Sequence, residues 1–92
     1  MQKPVGQVIK EVLSTYGLEE KLTEIQIFSS WGKIMGSPIA AYTERLYLKN
    51  GCLTVYLNSS ALRNELEFAK SKIIKMINDE IQKPVIKDIK FK

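Results

Sequence analysis

Arg45, Tyr47, Lys49 and Tyr56 are the residues whose types and spacing could do chemistry here, and the chemistry is recognition. They lie on two alternating runs either side of Asn50-Gly51, a pair that accepts the two positive-φ positions of a type I′ turn, so the spacing predicts a β-hairpin. A two-residue loop pairs Lys49 with Cys52, Leu48 with Leu53, Tyr47 with Thr54, Leu46 with Val55 and Arg45 with Tyr56. Leu46, Leu48, Leu53, Val55 and Leu57 then share one face. The other carries Arg45, Tyr47, Lys49, Thr54 and Tyr56. Cations attract phosphates and tyrosine rings stack on unpaired bases, so this second face is a candidate nucleic-acid surface. Ring contact across the strands is the purely structural alternative for the tyrosines.

Charge adds to that reading through its distribution. The net charge is +4, yet residues 1–69 hold seven Lys or Arg and seven Asp or Glu, whereas residues 70–92 hold seven Lys against three acids. The whole excess therefore sits in the last quarter, where a polyanion is the natural partner class and a solubilising surface the bland alternative.

Catalytic groups are sparse. The chain has no His and one Cys, and its carboxylates form no acid/base or metal set with plausible partners, so an enzyme is not expected. Glu19, Glu20 and Glu24 read as an exposed face that compensates a helix dipole. Gly32-Lys-Ile-Met-Gly36 has no phosphate-loop pattern; Gly32 is expected to allow close helix packing, and no cofactor or small-molecule substrate is implied. Cys52 cannot form an intramolecular disulfide, which suits a reducing compartment. No apolar run has the length of a signal peptide or a membrane span, so the expectation is a cytoplasmic protein without a membrane partner.

The elements that must position the recognition face follow from periodicity. A chain of 92 residues, 45% hydrophobic, fits a single domain over residues 1–92. Val5, Val8, Ile9, Val12, Leu13 and Tyr16 recur at helical spacing, with Pro4 before them and Gly17 after. Leu22, Ile25, Phe28, Trp31 and Met35, widened by Ile27 and Ile34, trace a second helix that ends near Gly36, with Trp31 packed inward. Residues 37–43 are a connector or one short turn. Beyond the hairpin, Asn58, Ser59 or Ser60 caps a long third helix with Leu62, Leu66, Ala69, Ile73, Met76 or Ile77, and Glu80 or Ile81 on its stripe. Its other side carries Arg63, Asn64, Glu67, Lys70, Ser71 and Asn78, with Arg63 and Glu67 placed to pair. After Lys83-Pro84, residues 85–92 alternate as a third strand, with Val85, Ile89 and Phe91 on one side and Ile86, Asp88, Lys90 and Lys92 on the other.

The expected fold is therefore α+β in the order α-α-β-β-α-β, with helices on one face of a three-stranded sheet. Leu46, Leu48, Val55, Leu66, Ile73 and Phe91 are its expected core. Arg45, Tyr47, Lys49, Tyr56, Lys90 and Lys92 are left on the open face as the nucleic-acid candidates. The flank carrying Arg63 and Lys70 is the second choice.

The chain also resembles the DciA-like family, proteins that bacteria use as loaders or operators of the replicative DNA helicase. The resemblance lies in Trp31-Gly-Lys-Ile-Met-Gly36, Asn50-Gly-Cys-Leu-Thr-Val55, Ser59-Ser-Ala-Leu-Arg-Asn-Glu-Leu66 and Ile86-Lys-Asp-Ile-Lys-Phe-Lys92. It implies a K-homology-like fold, DNA replication as the setting, DNA as a ligand and the helicase as a partner. Three features depart from the family. Tyr42-Thr43-Glu44 stands where many members have His-Thr-Pro, Leu62 where many have a second Trp, and no counterpart is expected to the flexible tail that contributes to helicase contact in longer members. The Gly-x-x-Gly loop of K-homology domains is absent as well.

Three readings follow: an accessory domain that binds single-stranded or partly open DNA and assists the helicase, an RNA-binding K-homology-like protein, and a protein-interaction domain that meets an acidic partner. Sequence preference and oligomeric state are not written in the composition.

Overall fold

The computed structural model describes residues 18–92. The helix expected over residues 5–16 lies outside the described residues. From Leu18 onward the chain runs α1 (Glu19–Met35), α2 (Ser37–Ala41), β1 (Thr43–Lys49), β2 (Cys52–Leu57), α3 (Ser60–Glu67), α4 (Lys70–Ile81) and β3 (Asp88–Phe91), an α+β arrangement around one three-stranded sheet.

The hairpin forms in the register its turn dictates. Asn50 and Gly51 both take positive φ, 52° and 77°, and all five predicted pairs from Lys49–Cys52 to Arg45–Tyr56 are present. Beyond them a bulge at Glu44 brings Thr43 opposite Leu57. Strand β2 is central, with β1 antiparallel on one side and β3 parallel on the other, where Leu53, Thr54 and Val55 face Ile89, Lys90 and Phe91. The parallel pair needs a crossover, and α3 and α4 supply it.

Burial follows strand parity. Leu46, Leu48, Leu53, Val55, Leu57, Ile89 and Phe91 all sit in the core with Leu66, Ile73 and Ile77 of the crossover helices, and each such side chain contributes about 1.5–3 kcal/mol on burial. Trp31 is buried, as its place on the helix implies. Its indole Nε1 donates to Thr43 Oγ1 at 2.9 Å, and that hydroxyl donates to the Ile39 carbonyl at 2.9 Å, tying α1, α2 and β1 together.

Four local expectations are corrected. On α1 the buried residues are Glu24, Ile27, Trp31 and Ile34, while Leu22, Ile25 and Phe28 are exposed, so the helix is turned from its most apolar stripe. The third helix is two helices. Phe68 and Ala69 close the end of α3 with N–H bonds three residues back, to Glu65 and Leu66, before α4 resumes, and the change of direction lets α3 rest on β2 and β3 while α4 reaches α1 and β3. Ile86, expected on the outer side of the last strand, is buried, and Val85 is half-buried. Strand geometry starts only at Asp88; before it the Asn78 side chain donates to the Ile86 carbonyl and accepts from the Ile86 N–H, both at 3.0 Å, replacing a ladder pair. Gly32 is exposed, and a methyl group there would meet only the Ala40 Cβ at 4.0 Å, so no close packing depends on it.

Candidate nucleic-acid interface

The outer face of the sheet is built by the register. Across it, Arg45 lies beside Tyr56; Tyr47, Thr54 and Lys90 form one row; and Lys49, Cys52 and Asp88 form the next toward the turn. Lys92 follows the end of β3, fixed by its own backbone: its N–H donates to the Val55 carbonyl at 2.9 Å and its carbonyl accepts from the Leu57 N–H at 2.7 Å. Neighbouring strands lie about 4.8 Å apart, so Tyr47 and Lys90 are separated by about 10 Å across β2.

Arg45, Lys49, Lys90 and Lys92 are exposed, and no described carboxylate pairs with any of them. Asp88 shares the face and tempers it, though one of its oxygens accepts the N–H of Ile89 at 2.8 Å. The two tyrosines belong to one stack with Arg45. Its guanidinium carbon lies 4.7 Å from the centre of the Tyr56 ring and 5.9 Å from that of Tyr47, within the range of cation–π attraction. That contact holds a planar cation across both rings, with Tyr47 the more open of the two tyrosines. The arrangement can attract a phosphate and offer both an aromatic and a guanidinium plane to an unpaired base.

The second-choice flank is built differently. Arg63 and Lys70 lie on the helix layer, which covers the opposite side of the sheet. Glu67 pairs with Lys70 at 3.2 Å, not with Arg63, whose Nε is buried without a hydrogen-bond partner among the described residues. A lysine already paired and an arginine already half-buried make a weaker phosphate site than the four open cations of the sheet.

Two of the three carboxylates expected on an exposed, dipole-compensating face instead hold backbone amides of the hairpin, and only Glu19 stays exposed. Glu24 is buried and accepts the Leu48 N–H at 2.9 Å, and Glu20, one turn earlier, accepts the Gly51 N–H at 3.0 Å. The first salt-bridges Lys21 at 2.8 Å. Burial pushes the Glu24 carboxyl up, but the Lys21 ammonium, the Leu48 N–H and the Arg45 charge outweigh it and hold the group below its ordinary value. The signal was spacing: Glu20, Glu24, Ile27, Trp31 and Ile34 form one stripe at steps of four and three. Among the described residues no three of His, Cys, Asp and Glu are grouped to hold a metal, and no helix is long and apolar enough to cross a membrane.

Comparison with known proteins gives one consistent result. The family model described as "Dna[CI] antecedent, DciA" matches residues 4–91. Curated relatives include the UPF0232 proteins of Rhodococcus jostii strain RHA1, 26% identical, and of Mycobacterium leprae strain TN, 24% identical, each over 97% of this chain and 47% of the relative. The UPF0232 protein of Mycobacterium tuberculosis H37Rv is 22% identical over 97% of this chain and 48% of its own length. The chain thus spans about half the length of the curated relatives it matches. No solved structure matches it, and the K-homology likeness stands on the sequence resemblance alone.

Proposed function

This chain belongs to the DciA family, and on that premise we propose that it is a non-enzymatic accessory domain that binds nucleic acid and assists the replicative DNA helicase. The ligand in this reading is DNA, single-stranded or partly open. The observation that carries it is the Arg45 stack over Tyr56 and Tyr47, set among Lys49, Lys90 and Lys92, none of which pairs with a described carboxylate. Counterion release gives such a face affinity without sequence preference, and the aromatic plane favours bases that are already unpaired. A broad sheet face suits an open strand better than the major groove, which admits a helix or a two-stranded ribbon.

The test is a titration of labelled single-stranded DNA, duplex DNA and single-stranded RNA of equal length at two salt concentrations. Tightest binding to single-stranded DNA, weakening with salt, supports the reading. Preference for RNA would favour the RNA-binding alternative, and absence of binding to all three would leave the basic face to an acidic protein. The helicase contact is tested separately, by co-purification of the untagged helicase from the same cells.

A further inference from the structure

The outer edge of β1 is closed at one end and open at the other. Side chains of α1 take the amides nearest the turn: Glu24 accepts the Leu48 N–H and Glu20 the Gly51 N–H. Edge-facing residues of an antiparallel strand alternate, so Leu46, two positions from Leu48, turns its N–H and C=O away from β2 in the same direction. No described group bonds to either. Beside this open pair lies a cavity of about 260 Å³ between α1 and β1, lined by Ile25, Phe28 and Leu46 together with Glu24 and Glu44. Ile25 and Phe28 are 52% and 55% exposed, although α1 buries Ile27 and Trp31 beside them.

Open edge amides next to an apolar cavity define the occupant. Such amides are satisfied by another extended backbone, and a strand added there lies about 4.8 Å outside β1 with every second side chain turned toward the helix layer. We propose that the groove between α1 and β1 takes an extended segment of a partner protein, which pairs with Leu46 and places one large apolar side chain against Ile25 and Phe28. Charge sets its flanks. Glu44 is exposed and pairs with no described cation, because the Arg45 guanidinium is stacked over Tyr56 on the outer face of the sheet. The segment therefore carries Lys or Arg beside its apolar anchor. A second copy of this chain fits less well: pairing of two β1 strands about Leu46 would set Leu48 opposite Glu44, and the Leu48 amide is already taken by Glu24. The same carboxylate keeps the added strand short.

The test selects displayed random short peptides on the full chain, with Phe28→Asp as counter-selection and a Glu44→Lys chain selected in parallel. The expected pattern is one large apolar residue with Lys or Arg near it, the basic preference turning acidic on Glu44→Lys. The selected peptide, made synthetically, should bind the wild type at least about ten-fold more tightly than Phe28→Asp, with Phe28→Leu close to the wild type. It should slow amide exchange at Leu46 and leave Leu53 and Val55 as they were, and N-methylation of alternate peptide amides should abolish binding at one parity only. If Phe28→Asp itself exposes Leu53 and Val55, Ile25→Asp at the neighbouring exposed position replaces it. No enrichment above the counter-selection, or binding that leaves Leu46 exchange unchanged, would overturn the proposal. A Leu46 amide protected before any peptide is added would overturn it too, and a dimer in sedimentation would then give the groove to a second copy.

Discussion

Glu24 Oε2 accepts a hydrogen bond from the backbone N–H of Leu48 at 2.9 Å, so a buried helix carboxylate closes part of the free edge of β1. Strand β1 is one of the two edge strands of the sheet, and an open row of amides there is a template for another chain. Glu20 does the same for Gly51 at the turn. Truncating Glu24 to Ala leaves the Leu48 amide without its acceptor and should cost about 1–3 kcal/mol in urea unfolding. A loss below about 0.5 kcal/mol would mean that water replaces the carboxylate freely.

The same carboxylate makes stability depend on pH in a definite direction. Burial raises the pKa of Glu24, but Lys21, the Leu48 amide and Arg45 lower it further, so the folded value lies below the unfolded one. The unfolded chain therefore takes up the proton first on acidification. The stabilisation is fully present above the unfolded pKa, near 4.5, and is lost as pH falls through the folded value. Glu24→Gln keeps an acceptor for Leu48 but cannot titrate. Unfolding free energies from pH 7 down to pH 3 should fall less steeply for the variant than for the wild type, and parallel curves would remove Glu24 as a contributor.

Gly32 offers a gain instead of a loss. It sits inside α1 at an exposed position, and a Cβ there meets only the Ala40 Cβ at an ordinary 4.0 Å. Gly32→Ala should therefore stabilise by about 0.5–1 kcal/mol, by restricting the unfolded chain and restoring helix propensity. Destabilisation in a thermal or urea melt would show that α2 crowds this side of α1 more closely than a 4.0 Å contact implies.

What the sequence made legible, and what it hid, divides along physical lines. The hairpin register was readable because Asn50-Gly51 sets the turn and the side-chain period of a strand is two, which fixes the faces of Arg45, Tyr47, Lys49 and Tyr56 at once. The face of α1 was not. Two acids head its true inward stripe, and hydrophobicity pointed to Leu22, Ile25 and Phe28, which the described part of the fold leaves outside. The break at Phe68 was invisible because no Gly or Pro interrupts residues 60–81; tertiary packing imposes it. Ile86 was misassigned because alternation was extended into a segment held by the Asn78 amide. The stack of Arg45 on Tyr56 follows from their pairing, whereas its reach to Tyr47 depends on the rotamer and could be seen only in the structure.

The sheet face yields a prediction in which charge and stacking separate. Arg45, Lys49, Lys90 and Lys92 together could neutralise three or four phosphates, so log K against log salt for single strands should slope by roughly −2 to −3. Removing Lys90 and Lys92, exposed side chains that support no part of the core, should flatten the slope to about half. Changing Tyr47 and Tyr56 to Ala should instead cost about 1–3 kcal/mol per stacked base with the slope retained. Arg45→Lys distinguishes the two contributions at one position, because it keeps the charge and loses the planar group held 4.7 Å from the Tyr56 ring. Its affinity should drop with no change of slope. If the lysine double variant binds as tightly as the wild type with an unchanged slope, the outer sheet face is not the site. Arg63 and Lys70 on the helix layer are then the next charges to remove, and silence there too would leave the basic surface to an acidic protein partner.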